Sequence, residues 1–131
     1  MTETALLLTA FLFGGMALFS FGFAAFLFSA LPSETASPLI RRAFPHFYLF
    51  VLITACVALL PTIARDLVST YILAAIALTT VFARQILMPA INKATDAGDK
   101  RRFAWLHGFS VLITLCHIVA AGVVLVRLSN I

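Results

Sequence analysis

Four long apolar stretches, at residues 5–31, 47–63, 67–87 and 103–126, are separated by short polar connections. A helix needs about 20 residues to cross the hydrocarbon core of a bilayer. In lipid the backbone must satisfy its own hydrogen bonds, so each stretch is predicted to be helical. The second run is short unless residues 44–46 join it. The expected helices therefore cover about 5–31, 45–63, 67–87 and 103–126 of one membrane domain, 1–131. The first is long enough to tilt or to project beyond the bilayer. It does not read as a signal peptide, because it begins beside Glu3 with no Lys or Arg and exceeds an apolar region of about 7–15 residues.

The connections differ in kind. Residues 32–43 hold two prolines, Glu34 and the pair Arg41 and Arg42, and their apolar positions suit a short interfacial helix. Residues 64–66 are so few that helices 2 and 3 must be antiparallel neighbours. Residues 88–102 read as a polar loop, with Pro89 bending or ending helix 3 and Gly98 marking a turn.

Composition sharpens the class. The chain is 63% hydrophobic and 11% charged, against about 45–50% and about 25% in soluble domains. Mean hydropathy is +1.09. The net charge of +4 comes from basic residues flanking apolar runs, which read as topology signals and lipid contacts rather than a nucleic-acid surface. Loops 1 and 3 hold Arg41, Arg42, Lys93, Lys100, Arg101 and Arg102, whereas the other side holds only Arg65 and Arg127. The positive-inside rule then puts loops 1 and 3 in the cytoplasm and both termini outside, in a bacterial-type inner membrane. Arg41, Arg42, Lys100, Arg101 and Arg102 are expected at lipid headgroups, with Trp105 and Tyr48 in the same interfacial belt.

One internal match stands out. RRAFPHFYLFVLITAC (41–56) and RRFAWLHGFSVLITLC (101–116) share seven of sixteen positions. Both enter the membrane from the same side, which suggests two parallel two-helix repeats. Basic flanks and apolar filling at helix starts produce such matches by chance as well.

Polar groups inside the membrane are the candidates for function. His107, Ser110, Thr114 and His117 fall within an arc of roughly 80° on helix 4. Arg84 and Thr80 share a face of helix 3 with Ala77 and Thr70. Arg84, Thr80, His107, Ser110, Thr114 and His117 thus form a candidate intramembrane site. The plainer reading is helix packing, with Arg84 reaching back to the headgroups. His117, the deepest, needs a partner such as Thr54, Thr80 or a backbone carbonyl. His46 and His107 lie at similar depth and would be the axial ligands if the protein held haem b. No metal-ligand spacing is present, and Cys56 and Cys116 read as small hydrophobes. All five carboxylates, Glu3, Glu34, Asp66, Asp96 and Asp99, lie outside the apolar runs. No nucleophile elbow, phosphate loop or paired-carboxylate site occurs. Helix 1 carries seven phenylalanines, expected to face lipid or partner subunits, and Ala10 with Gly14 forms a step that can seat another helix.

The stretches GGMALFSFGFAAFLFSALPSETASPLIRRAFPHFY and RQILMPAINKATDAGDKRRFAWLHGFSVLITLCHIVAAG resemble the transmembrane-protein-205-like family of small four-helix membrane proteins, over residues 14–122. The resemblance implies architecture and little mechanism. Its general plan is also similar to that of membrane protoporphyrinogen oxidases and copper-resistance proteins. Those oxidases use a histidine in the first helix, which this chain lacks.

The sequence therefore reads as an all-α, integral membrane four-helix bundle of unknown activity. The leading expectation is a non-catalytic accessory or assembly component of a membrane complex, with no resident cofactor, in contact with lipids and with a larger complex or a second copy. The alternatives are a haem- or redox-handling protein using His46 and His107, and a small transporter using Arg84, His107 and His117.

Overall fold

Each apolar run falls within one helix apart from its last residue in two cases, Leu31 and Ile63, which lie just past a helix end. The computed structural model describes residues 1–131 and contains four helices long and apolar enough to cross a membrane: α1 (Thr2–Ala30), α2 (Ser33–Thr62), α3 (Leu67–Asp96) and α4 (Lys100–Ser129). Thirty residues span about 45 Å, whereas the hydrocarbon core is about 30 Å thick. The helices therefore continue well past the apolar runs that signal them.

The excess falls mainly at the end carrying loops 1 and 3. The expected interfacial segment of loop 1 is the first part of α2, continuous with it through Pro38 and Pro45. The expected polar loop 88–102 shrinks to a turn at 97–99. Pro89 does not end α3. A wide turn comes just before it, in which the Met88 N–H donates to the Ala83 carbonyl, five residues back. Proline offers no N–H to the ordinary ladder, and a local change of helical pitch accommodates it. The turn that does end α3 uses Gly98 at φ 68°, in the left-handed region. Asp99 then caps α4 by accepting from the Arg102 N–H at 3.1 Å. A second wide turn lies in α1, where the Ala24 N–H donates to the Phe19 carbonyl.

Consecutive helices pack as antiparallel neighbours, and α1 closes the ring against α4. The shared core is built from Leu12 and Met16 of α1, Val51 of α2, Leu73 and Ile76 of α3 and Val124 of α4. Close approach depends on small residues at chosen positions. A Cβ on Gly15 would lie 2.4 Å from the tip of the Phe50 ring, so that glycine admits the ring to the α1–α2 contact. Toward the loop end, Phe19 stacks on Phe47 at 4.2 Å between centroids, with Phe44 edge-on at 5.6 Å. Phe13 and Phe19 thus pack against the core. The other five phenylalanines of α1, at 11, 21, 23, 26 and 28, face outward as expected.

The matched stretches lie in parallel, diagonally placed helices, 101–116 at the start of α4 and 41–56 eight residues into α2. The two cysteines and the arginine pairs are exposed in both stretches, but the shared Val-Leu-Ile-Thr segments are placed differently: Val51 is 1% exposed and Val111 is 43% exposed.

Candidate functional site

Two bidentate ion pairs fasten the bundle at opposite ends. At the end carrying the termini, Asp66 caps α3 through the Val68 N–H at 3.1 Å and accepts from the Ser69 hydroxyl at 2.6 Å. Arg127, near the end of α4, donates to both Asp66 oxygens at 2.9 and 2.8 Å. Hydrogen bonds from Arg127 and then Ser69 hold the Asp66 carboxyl well below its ordinary value of 3.8. The turn beside it is tied by Thr62 and Thr70, whose hydroxyls meet at 2.9 Å.

At the other end, Arg41 of α2 donates to the two oxygens of Asp96 of α3 at 2.7 and 3.0 Å. Arg41, expected at lipid headgroups, is exposed and holds this bridge as well. Arg42, Lys100, Arg101 and Arg102 are exposed, and neither ion pair involves them.

Below the Arg41–Asp96 bridge lies a cavity of about 40 Å³, lined by Arg41, Phe44 and Tyr48 of α2, Met88, Ile91 and Asn92 of α3, and His107 and Ser110 of α4. That space suits two or three water-sized groups, at about 10–15 Å³ each. The wide turn at Ala83–Leu87 precedes the three α3 members and sets the face they share. Tyr48 is 4% exposed and lines this space, with no hydrogen bond from its hydroxyl to the protein. It belongs to the bundle interior rather than to the headgroup belt. Trp105 is 75% exposed, on the outside of the bundle.

The structure distributes the six residues of the candidate intramembrane site over different partners. His107 and Ser110 line the cavity, where the Ser110 hydroxyl donates to the His107 carbonyl at 2.7 Å. Thr114 donates to the Ser110 carbonyl at 3.0 Å, and Thr80 to the Ile76 carbonyl at 2.6 Å, both within their own helices. Arg84 Nε reaches the Pro45 carbonyl of α2 at 3.4 Å. His117 pairs with neither Thr54 nor Thr80: its Nε2 lies 2.6 Å from the Thr79 hydroxyl. That hydroxyl also lies 2.7 Å from the Ala75 carbonyl of its own helix.

His46 is exposed. At about 100° per residue it points roughly 160° from Phe44 and Tyr48, which line the cavity with His107. The two histidines are not brought to one pocket. Asn92 and Thr79 had no place in the sequence expectations, whereas Tyr48 and the four members of the ion pairs were named there only for other roles, as interfacial, topological or loop residues. Thr9, fully buried in α1 with no partner for its hydroxyl, had no place there either. The ion pairs had a usable signal, since each joins residues at helix ends on the same side of the expected topology.

A family model described as a domain of unknown function (DUF4149) matches residues 7–100. The chain belongs to that family. The DUF4149 match covers α1, α2 and α3, so it includes both aspartates of the ion pairs and the α2 and α3 walls of the cavity, whereas nearly all of α4 lies beyond it. Nothing identifies the transmembrane-protein-205-like family that the residues resemble. No curated protein and no solved structure matches the chain.

Proposed function

We propose that this DUF4149 protein is a non-catalytic accessory or assembly component of a larger membrane complex, and that it docks through the outward face of α1. The observation that carries the reading is the poor enclosure of that helix. Within its most apolar window 17% of residues are buried, against 33% in α2 and in α3 and 22% in α4. Leu7, Phe11, Leu18, Phe21 and Phe26 all project outward. Ala10 and Gly14 lie exposed among them, and no atom comes within 4 Å of a Cβ placed on Gly14. A small-residue step beside large rings lets a second helix approach closely, which is how helices associate in lipid.

The hydroxyls of the membrane region fit the same reading. Thr79, Thr80, Ser110 and Thr114 hydrogen-bond to backbone carbonyls of their own helices, which satisfies those hydroxyls locally and does not turn them toward a ligand. The resemblance to transmembrane-protein-205-like proteins agrees in plan, four helices with little outside the membrane. The basic loops 1 and 3 support an orientation with those loops in the cytoplasm and both termini outside, in an inner membrane.

The test is affinity purification in mild detergent followed by mass spectrometry. The expected result is a stoichiometric membrane-protein partner that is lost on Gly14→Leu while the variant remains folded. A strictly solitary monomer, or a partner that Gly14→Leu does not disturb, would count against the reading. The absorption spectrum of the same sample tests the haem alternative through its Soret band.

A further inference from the structure

On the side of α4 that faces away from the core, Ala104, Trp105, Gly108, Phe109 and Leu112 line an open groove of about 420 Å³. Gly108 forms its floor, with no atom within 4 Å of a Cβ placed there. The edge-on contact of Phe109 with Phe82 of α3, at 6.4 Å between centroids, closes one side. Arg101, Trp105, Gly108 and Leu112 fall within an arc of roughly 60°. Ser110, His117 and Ala121, buried in the bundle, mark the opposite side of the helix. Arg101 therefore stands directly above the groove, with Lys100 and Arg102 turned about 100° to either hand. All three are exposed and neither ion pair of the chain uses them. They also occupy the first turn of a 30-residue helix, where the backbone dipole adds positive potential.

We propose that this face binds one anionic phospholipid, with the headgroup phosphate on Arg101 beside Lys100 and Arg102 and one acyl chain lying in the groove over Gly108. The charge decides the occupant. Two copies of the protein, inserted the same way and joined through this face, would bring their three cations against one another. Asp99, next to them in sequence, already accepts from the Arg102 N–H. A lipid phosphate supplies the missing negative charge, and an unbranched chain fits the gap left by the glycine. This site lies on a different helix from the α1 docking face and stands or falls separately.

Trp105 is the sole tryptophan of the chain and lines the groove, so its fluorescence reports occupancy. The full-length protein is reconstituted in phosphatidylcholine vesicles, with a small fraction of phosphatidylglycerol or phosphatidylcholine carrying brominated chains. The brominated phosphatidylglycerol is expected to quench Trp105 at a several-fold lower mole fraction. Arg101→Ala should cut that preference about fivefold, as loss of one basic residue at an anionic surface predicts. Gly108→Leu should weaken quenching by the anionic lipid while the helical circular dichroism is unchanged. Equal quenching by the two lipids in the wild-type protein overturns the proposal, and so does a preference that Arg101→Ala leaves intact. Efficient oxidative cross-linking of Gly108→Cys into a dimer in these vesicles would assign the face to a second copy and overturn it as well.

Discussion

Arg127 and Asp66, 61 residues apart in the chain, meet through two hydrogen bonds that join the end of α4 to the cap of α3. The contact does two jobs with one carboxylate, since Asp66 also receives the Val68 N–H and the Ser69 hydroxyl. The Arg41–Asp96 bridge at the opposite end joins α2 to the other end of α3. Helix α3 is thus pinned at both ends, to a different neighbour each time. In lipid, where water does not drive helices together as it does in soluble cores, such fixed contacts help to select one arrangement.

The Asp66 contact gives a pH dependence of definite sign. The folded protein holds the carboxyl below the unfolded value of 3.8, so the stabilisation is complete above that pH and is lost as pH falls from there through the folded value. Thermal unfolding in detergent should show Asp66→Asn less stable than wild type by a constant margin between pH 7 and pH 5. That margin should shrink below 3.8. A margin that vanishes already near pH 5 would contradict the assignment.

The Thr79–His117 pair can be separated from its neighbour Thr80. Thr79→Val removes the hydroxyl that pairs with the imidazole, and hydrogen bonds between membrane helices contribute about 0.6 kcal/mol on average and up to about 1.7. Chemical unfolding of reconstituted protein should register a loss in that range. In a double-mutant cycle with His117→Leu, the coupling should appear for Thr79→Val and not for Thr80→Val.

Adjacent glycines in α1 should respond differently. Gly15→Ala drives a methyl into the Phe50 ring, and overpacking of this kind costs about 1–3 kcal/mol. Phe50→Leu should relieve part of that cost. Gly14→Ala meets nothing within 4 Å and should leave the stability of the isolated protein within about 0.5 kcal/mol of wild type. Unfolding titrations of the three variants distinguish these outcomes.

Thr9 offers a change in the opposite direction. Its hydroxyl is buried without a partner, and such a group costs about 1–3 kcal/mol where the folded state leaves it unmade. Thr9→Val keeps the shape and removes the hydroxyl. The variant should be more stable than wild type by roughly 1 kcal/mol, measured by the same unfolding assay.

The pattern of apolar runs determined the number of helices and their order, and the three-residue connection at 64–66 made α2 and α3 antiparallel neighbours. Those features follow from lipid as solvent, because a bilayer requires long apolar segments that close their own hydrogen bonds. The same pattern underestimated helix length at the loop end. Lys93 and Asp96 looked like loop, yet a helix that has left the hydrocarbon continues in water with polar residues, and only Gly98 stops it. The candidate site was half legible. His107 and Ser110 were placed on the interior face by helical phase, which any amphipathic reading supplies. The cavity they line also needs Tyr48, Asn92 and Arg41 from two other helices, and the wide turn after Phe82 sets which α3 residues face it. Phase along one helix says which residues share a face. Only the packed bundle decides what that face meets, because the rotation of each helix about its axis is fixed by side chains many residues away. That is why His117 finds Thr79 rather than Thr80, and why Arg41 finds Asp96 across 55 residues of chain.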